Sequence, residues 1–390
     1  MALNTVSSDR LATNVKNTNF TAAEKQDLTD DILPLAGQLG NRNLIINGAM
    51  QVAARATSGS TADGYPSLDR FYTFSSGLDE NPTMSQGSLT SSDTPFSSGF
   101  RKYLRFQNGN QTSGAGAGDT LVMLHRIEGQ DLANSGWNYT SASSNVSFSF
   151  WVKSSVAQNF FFTFKTGDGT PQKYAMETGS LSADTWTKIT KTIPGNSNLQ
   201  FDNDNGEGLE IEWSIFRGTD ETGSMSLNTW AANNNSVRTP DQTSTWFTTN
   251  NATFEITGVQ LEVGSVATDF EHRSFAQELA LCERYYEKSY NYSVVPGTVT
   301  DTGLVMWLAN RNPGLPHTTL RYKTPKRANP TVTIFNTNTA DSNTLRDKDA
   351  ATDLTPQITR LGESGCTIHT NTSTALGNFI AFHYTATAEL

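Results

Sequence analysis

Residues 254–289 read Phe254-Glu-Ile-Thr-Gly-Val-Gln-Leu-Glu-Val-Gly, then Ser265-Val-Ala-Thr-Asp-Phe-Glu-His-Arg, then Ser274-Phe-Ala-Gln-Glu-Leu-Ala-Leu-Cys-Glu-Arg-Tyr-Tyr-Glu-Lys-Ser. The spelling divides into a strand, a short crossing loop and a helix over 274–289. In the strand the apolar residues change parity: Phe254 and Ile256 are even, while Val259, Leu261 and Val263 are odd. A strand keeps one face inward only while its apolar residues alternate, so one extra residue must enter near Thr257 and Gly258. A β-bulge at Gly258 supplies it, because glycine takes up left-handed dihedrals without a Cβ clash. Ser274 with Gln277 three residues on spells a capping box. Phe275, Leu279, Cys282 and Tyr286 then fall on one helical stripe. The strand closes a large domain and the helix leads into a smaller one.

Upstream, strand alternation recurs. Val146, Phe148, Phe150 and Val152 share one face, as do Phe160, Phe162 and Phe164, and again Leu209, Ile211, Trp213 and Ile215. Such period-2 runs mark strands with one buried face. Turn chemistry separates them, as at Gly167-Asp-Gly and Asp202-Asn-Asp-Asn-Gly. The fold class is mainly β, with a jelly-roll or two-sheet sandwich over 41–273, a linking helix over 274–290 and a small β-sandwich over 291–390. Residues 85–99 and 228–251 are rich in Ser, Thr, Asn and Gly and read as long loops, and 336–356 as a surface loop. Residues 1–40 are a separate arm: polar to Asn19, then a capping box at Thr21 and Glu24 opening a short helix over 22–33 that stops before Pro34. Its apolar residues are too few for a core, so it reads as an attachment or assembly segment, or as a tail lying on its own β domain.

Composition narrows the function. Charged residues make up 17% of the chain and the formal net charge is −10, so the concentrated basic surface that phosphate backbones require is not expected, and nucleic acid is excluded as a partner. The N-terminus lacks the basic and apolar regions of a signal peptide, and no apolar run reaches the length of a membrane span, which predicts synthesis in a cytoplasm and no membrane insertion. Cys282 and Cys366 are two buried thiols rather than a disulfide framework.

No catalytic residues are assigned. The five histidines are scattered, and nucleophile and phosphate-cradling motifs are absent. Glu210 and Glu212 alternate with the apolar residues of their strand and share its outward face, where a pair of carboxylates could cleave a glycan or simply meet solvent. Asp202, Asp204 and Glu207 offer hard oxygens in a tight turn, a structural calcium set set against a plain Asn/Asp turn. Glycan binding needs aromatic faces for sugar rings with planar polar groups for hydroxyls. Trp151 with Lys153, Trp137 with Tyr139, and Trp230 with Trp246 are the candidates; subunit contact and core plugging are the competing uses.

A resemblance adds to this. Asn43-Leu-Ile-Ile-Asn-Gly-Ala-Met-Gln, Leu68-Asp-Arg-Phe, Phe148-Ser-Phe-Trp-Val-Lys-Ser, the strand at Phe254 and Phe270-Glu-His-Arg resemble the signatures of tail-fibre and related receptor-binding structural proteins of short-tailed, marine-type bacteriophages. The β domain is also similar to jelly-roll carbohydrate-binding modules. The resemblance implies a homotrimer on the virion tail, docking on a phage tail or other virion protein through the N-terminal arm, and adsorption to a host-surface polysaccharide. It implies no matched sugar-contact residues. Phe275, Leu279, Cys282 and Tyr286 are the residues that would pack around a threefold axis. A head fibre or virion decoration without a receptor role, and a polysaccharide depolymerase, remain the alternatives.

Overall fold

The computed structural model describes residues 41–309, 317–370 and 374–390. The arm over 1–40, with its short helix, lies outside the described residues. Residues 43–390 form one compact unit built on two hydrophobic cores.

The first core lies between two antiparallel sheets. One sheet runs β1 (Ser58–Ser60), β4 (Thr83–Ser88), β5 (Lys102–Gln107), β13 (Thr253–Val263), β7 (Asn145–Ser154), β10 (Thr187–Pro194). The other runs β12 (Trp230–Ala232), β9 (Gln172–Ser180), β8 (Asn159–Thr166), β11 (Glu207–Arg217), β6 (Thr120–Glu128), β3 (Tyr72–Ser76), β2 (Asp63–Gly64). The alternating runs of the sequence meet here. Phe148 and Phe150 of β7 pack against Phe162 of β8 and Trp213 of β11, with ring centroids 5.1 to 5.9 Å apart. Each such ring contributes about 1.5–3 kcal/mol through burial, and edge-on contacts between rings add to that.

The bulge is where the parity change requires it. The β13–β7 register slips between Thr257 and Gln260, and Gly258 sits at φ +63°. Residues 43–48 lie alongside: Leu44 N–H donates to the Leu261 carbonyl and Val259 N–H to that of Gly48, while the Asn43 side chain bonds both Val259 O and Leu261 N. The signature stretches are thus one piece of architecture. Asn47, at φ +64°, bonds the backbone of Val52 and Asp69 through its side chain and donates its own N–H to Glu278.

The second core lies between a sheet gathered on β22 (Phe379–Thr387) and a three-stranded sheet. β22 pairs with β14 (Tyr286–Lys288), β15 (Val305–Leu308), β17 (Thr331–Phe335) and β18 (Leu345–Asp347), the last extended by β19 (Thr352–Leu354). The smaller sheet orders β16 (His317–Arg321), β21 (Gly365–Thr370), β20 (Pro356–Gly362). Arginines fasten this unit to the first sandwich. Arg70 and Arg55 pair with Glu389, Arg126 donates to Leu390 O, and Arg327 bonds Asn205 O on one side and Ala388 O on the other.

Several expectations need correction. The helix, α4 (Phe275–Glu283), keeps its capping box but stops at Glu283, because residues 286–288 give up helical bonds to pair with β22. Three stretches read as loops carry elements: 85–99 holds most of β4 and a turn of helix, α1 (Thr94–Ser97); 228–251 holds β12 and α3 (Thr245–Thr248); 336–356 holds β18 and β19. A further turn, α2 (Gly129–Ala133), follows β6. No helix among the described residues is long and apolar enough to cross a membrane.

At Gly258 a side chain would meet both a left-handed φ and the buried Phe100 ring, whose Cζ would lie 2.6 Å from the new Cβ. Gly258→Ala is expected to cost about 1–3 kcal/mol. Gly118→Ala, whose Cβ would meet only Asp220 Oδ2 at 3.6 Å, should be nearly neutral. Urea melts of the two variants check the contrast.

Candidate functional site

The outer face of the first sheet is where a ligand can reach organised aromatic surface. On β5, Leu104 and Phe106 point into the core, so Tyr103 and Arg105 point out. Tyr103 lies over Gly87 of β4, where any Cβ would enter its ring. Trp186, just before β10, meets Tyr103 edge-on at 5.8 Å and donates its indole N–H to Asp93. Beneath them Glu255 of β13, fully buried, is held by Arg105 at 2.6 Å and Lys153 at 2.7 Å, and the Lys153 ammonium sits 5.0 Å from the Trp186 ring centre. The pairing matters because an unpaired carboxylate there would carry an uncompensated desolvation cost.

Beside this layer Phe100 lies over the Gly258 bulge, with Phe270 and His272 at 4.8 and 5.1 Å. Trp151 is half-buried on β7, paired across the ladder with exposed Lys188 of β10, so both point outward. These residues line an open groove of about 450 Å³ whose walls include Trp151, Lys188, Asp269 and Phe270. A second groove of about 550 Å³, walled by Arg101, Lys102, Phe275 and Tyr292, adjoins it. Both share Gly99, Phe100 and His272, so the two grooves meet at these residues and together make up a trough. Volumes of this size accommodate a few sugar-sized rings.

Of the expected sugar contacts, Trp151 alone lines this trough. Lys153 is committed to Glu255 beneath the aromatic layer. Trp246 is a core plug, fully buried, its indole N–H donated to Thr253 O, which corrects its assignment as a ligand contact. Trp137 is likewise buried against Phe201, with its N–H on Ser144 O. Tyr139 packs edge-on to Phe201, and Trp230 leans on Tyr174 and donates to Pro194 O. The residues that sequence reasoning missed are Phe100, Phe270, His272, Lys188, Arg101 and Lys102. One signal for them lies in the sequence: Phe270 and His272 stand in the Phe270-Glu-His-Arg signature.

The stripe of α4 faces its own chain. Cys282 and Tyr286 are buried with Val52 and Ala54, and Leu279 packs on that cluster, so these three are committed within the subunit. Phe275 is 43% exposed and meets Tyr292 edge-on. The calcium set is also dispersed. Glu207 turns to Arg126 at 2.9 Å, and Asp204 accepts the N–H of Gly206 within its own turn. Among the described residues no three acidic, His or Cys side chains are placed to hold a metal.

Glu210 and Glu212 face outward from the second sheet but are not free carboxylates. Glu210 is bridged by Arg126 and Lys165, each at 2.9 Å. Glu212 is buried, clamped by both arms of Arg217 and hydrogen-bonded by Ser214. Burial pushes its carboxyl up, yet the Arg217 and Lys173 charges and these hydrogen bonds outweigh burial and hold it at about 2. A group so held delivers no proton near neutrality.

No protein-family model matches the chain, and no curated protein matches it. Among solved structures it is similar to a CBM4 structure, at 11% identity and TM-score 0.30, covering 56% of this chain and 99% of that one. A family 11 carbohydrate-binding module from Clostridium thermocellum matches at 13% and 0.25, covering 55% and 98%. The enzymatically active domain of tailspike protein 4 from bacteriophage CBA120 matches at 10% and 0.29, covering 57% of this chain but only 21% of that one. Likenesses at these scores have no bearing on what this chain binds.

Glu212 adds stability at neutral pH because its folded value lies below the ordinary 4.5. That contribution is complete above about pH 5 and is lost as pH falls through the folded value. Glu212→Gln should therefore cost roughly 3 kcal/mol at pH 7, from the depressed pKa and the stranded Arg217. The gap to wild type should close between pH 4.5 and about 2, as read by denaturant melts at stepped pH.

Proposed function

We propose that this protein binds a glycan in the trough on the outer face of its first sandwich. One observation carries the reading. The half-buried Trp151 ring lines an open groove, and Phe100 and His272 on its wall also line the adjoining groove. An aromatic face offers flat apolar area to the C–H face of a sugar, while Gln51, Arg101 and Lys188 offer polar partners for hydroxyls along the walls. The reading requires no chemistry beyond binding.

The setting we propose is the virion of a tailed bacteriophage, with the protein as a tail fibre that adsorbs to host-surface polysaccharide and attaches through residues 1–40. Support for the setting is the set of sequence signatures at Asn43, Leu68, Phe148, Phe254 and Phe270. The homotrimer belongs to the same proposal. With Cys282 and Tyr286 spent inside the subunit and Phe275 on the trough wall, Leu281 is the exposed apolar side chain α4 leaves for a neighbouring copy.

Two measurements test these readings. Affinity electrophoresis through soluble polysaccharides should show retardation that Trp151→Ala reduces by about tenfold or more in affinity and Trp151→Phe largely restores. Retardation indifferent to Trp151→Ala would refute the site. Light scattering on the eluting full-length chain should give three times the 42.5 kDa protomer mass, and a monomer at micromolar concentration would refute the trimer.

A further inference from the structure

We infer that the trough is selective for an anionic polysaccharide, one whose repeating unit carries a uronate carboxylate or a sulfate ester; this rests on the glycan reading of the same groove. The chain as a whole is acidic, with 38 carboxylate against 28 basic side chains. Many basic groups elsewhere are paired: Arg70, Arg126, Lys165, Arg217 and Lys326 each sit within 3 Å of a carboxylate. The trough gathers cations that are not. Arg101 donates only to the carbonyls of Phe96 and Phe100 while stacking on the Phe96 ring at 3.8 Å, which leaves the rest of its guanidinium fork open. Lys102 reaches only the hydroxyl of Ser88, at 2.9 Å. Lys188 is exposed beside Trp151 and pairs with no carboxylate among the described residues.

Among the residues lining the trough, three permanent cations and His272 thus face a single carboxylate, Asp269. The cations are also spread along its length, Lys188 in one groove and Arg101 with Lys102 in the other, on either side of the shared Phe100 and His272. That is the arrangement a polymer with a charge on successive units would meet, rings on the aromatic floor and anions on the rims. A guanidinium with free N–H groups matches carboxylate or sulfate oxygens in a fork, and the ammonium groups act as point charges. A neutral glucan would gain from the rings and leave the cations merely solvated.

The test is affinity electrophoresis of the full chain in alginate (carboxylate), κ-carrageenan (sulfate ester) and hydroxyethyl cellulose (neutral), with wild type, Arg101→Gln/Lys188→Gln and Trp151→Ala, each checked by thermal melt. The expected result is retardation by alginate or carrageenan about tenfold tighter than by the neutral polymer. The double variant, folded, should lose that margin, and 0.5 M NaCl should erase it in wild type. Which acidic polymer is held assigns carboxylate or sulfate. Equal retardation by the neutral polymer, unchanged in the double variant, overturns the anionic selectivity and leaves the glycan site standing. Retardation by acidic polymer that survives Trp151→Ala in full places the charge effect outside the trough and overturns the inference. No retardation by any of the three overturns the inference and the glycan reading together.

Discussion

Gly258 holds one extra residue in β13 at φ +63°, and both the core and the outer face depend on it. Before it Phe254 and Ile256 point inward; after it Val259 and Leu261 do. Without the insertion, the second half of the strand would turn its apolar set to solvent and bury Gln260 and Glu262 in the sandwich. The same residue has no side chain, so Phe100 can lie directly on the backbone. Phe100 is in turn the surface the two grooves share. A device that repairs the inner face of the strand therefore also shapes the floor of the outer one.

Buried charge imposes a second constraint, and the chain meets it by pairing. Glu255, Glu212, Glu128 and Glu287 are buried, and each touches an arginine or lysine. Replacing such pairs with apolar residues is often harmless to stability, whereas removing one partner is expensive. Their value here is positional. Glu128 takes both Arg284 and the Tyr285 hydroxyl, so the link between the sandwiches is fixed in direction as well as in place. Arg101 and Lys102 of the trough belong to no such pair, and bond only carbonyls and a hydroxyl.

The fold was more legible in the sequence than the site. Alternation at 146–152 and 209–215 located the core strands, the parity change located the bulge, and Ser274 with Gln277 located the start of α4. Those are local signals, each written within a few residues. The end of α4 was not readable locally, since residues 286–288 leave the helix to meet a partner about a hundred positions away. The trough was harder still. Its walls come from residues 97–102, 149–151, 188 and 268–272, which only the sheet order β5-β13-β7-β10 brings together. Trp151 could be picked by parity because it alternates with core phenylalanines. Trp246 shows the limit of that rule: a tryptophan in polar text is compatible with a contact as well as with the commoner plug, and burial of its indole makes it a plug.

The proposed preference for an acidic polymer runs against the net charge of the protein, yet the two act over different distances. The net charge of −10 is spread over the whole surface, and at physiological ionic strength charges farther apart than about 8 Å are largely screened. A chain lying in the trough would thus feel mainly Arg101, Lys102 and Lys188. Opposed signs at long and short range sharpen selectivity, because wrong orientations are disfavoured while the right one is not. The rings supply affinity that salt does not remove, and the rims decide which polymer receives it.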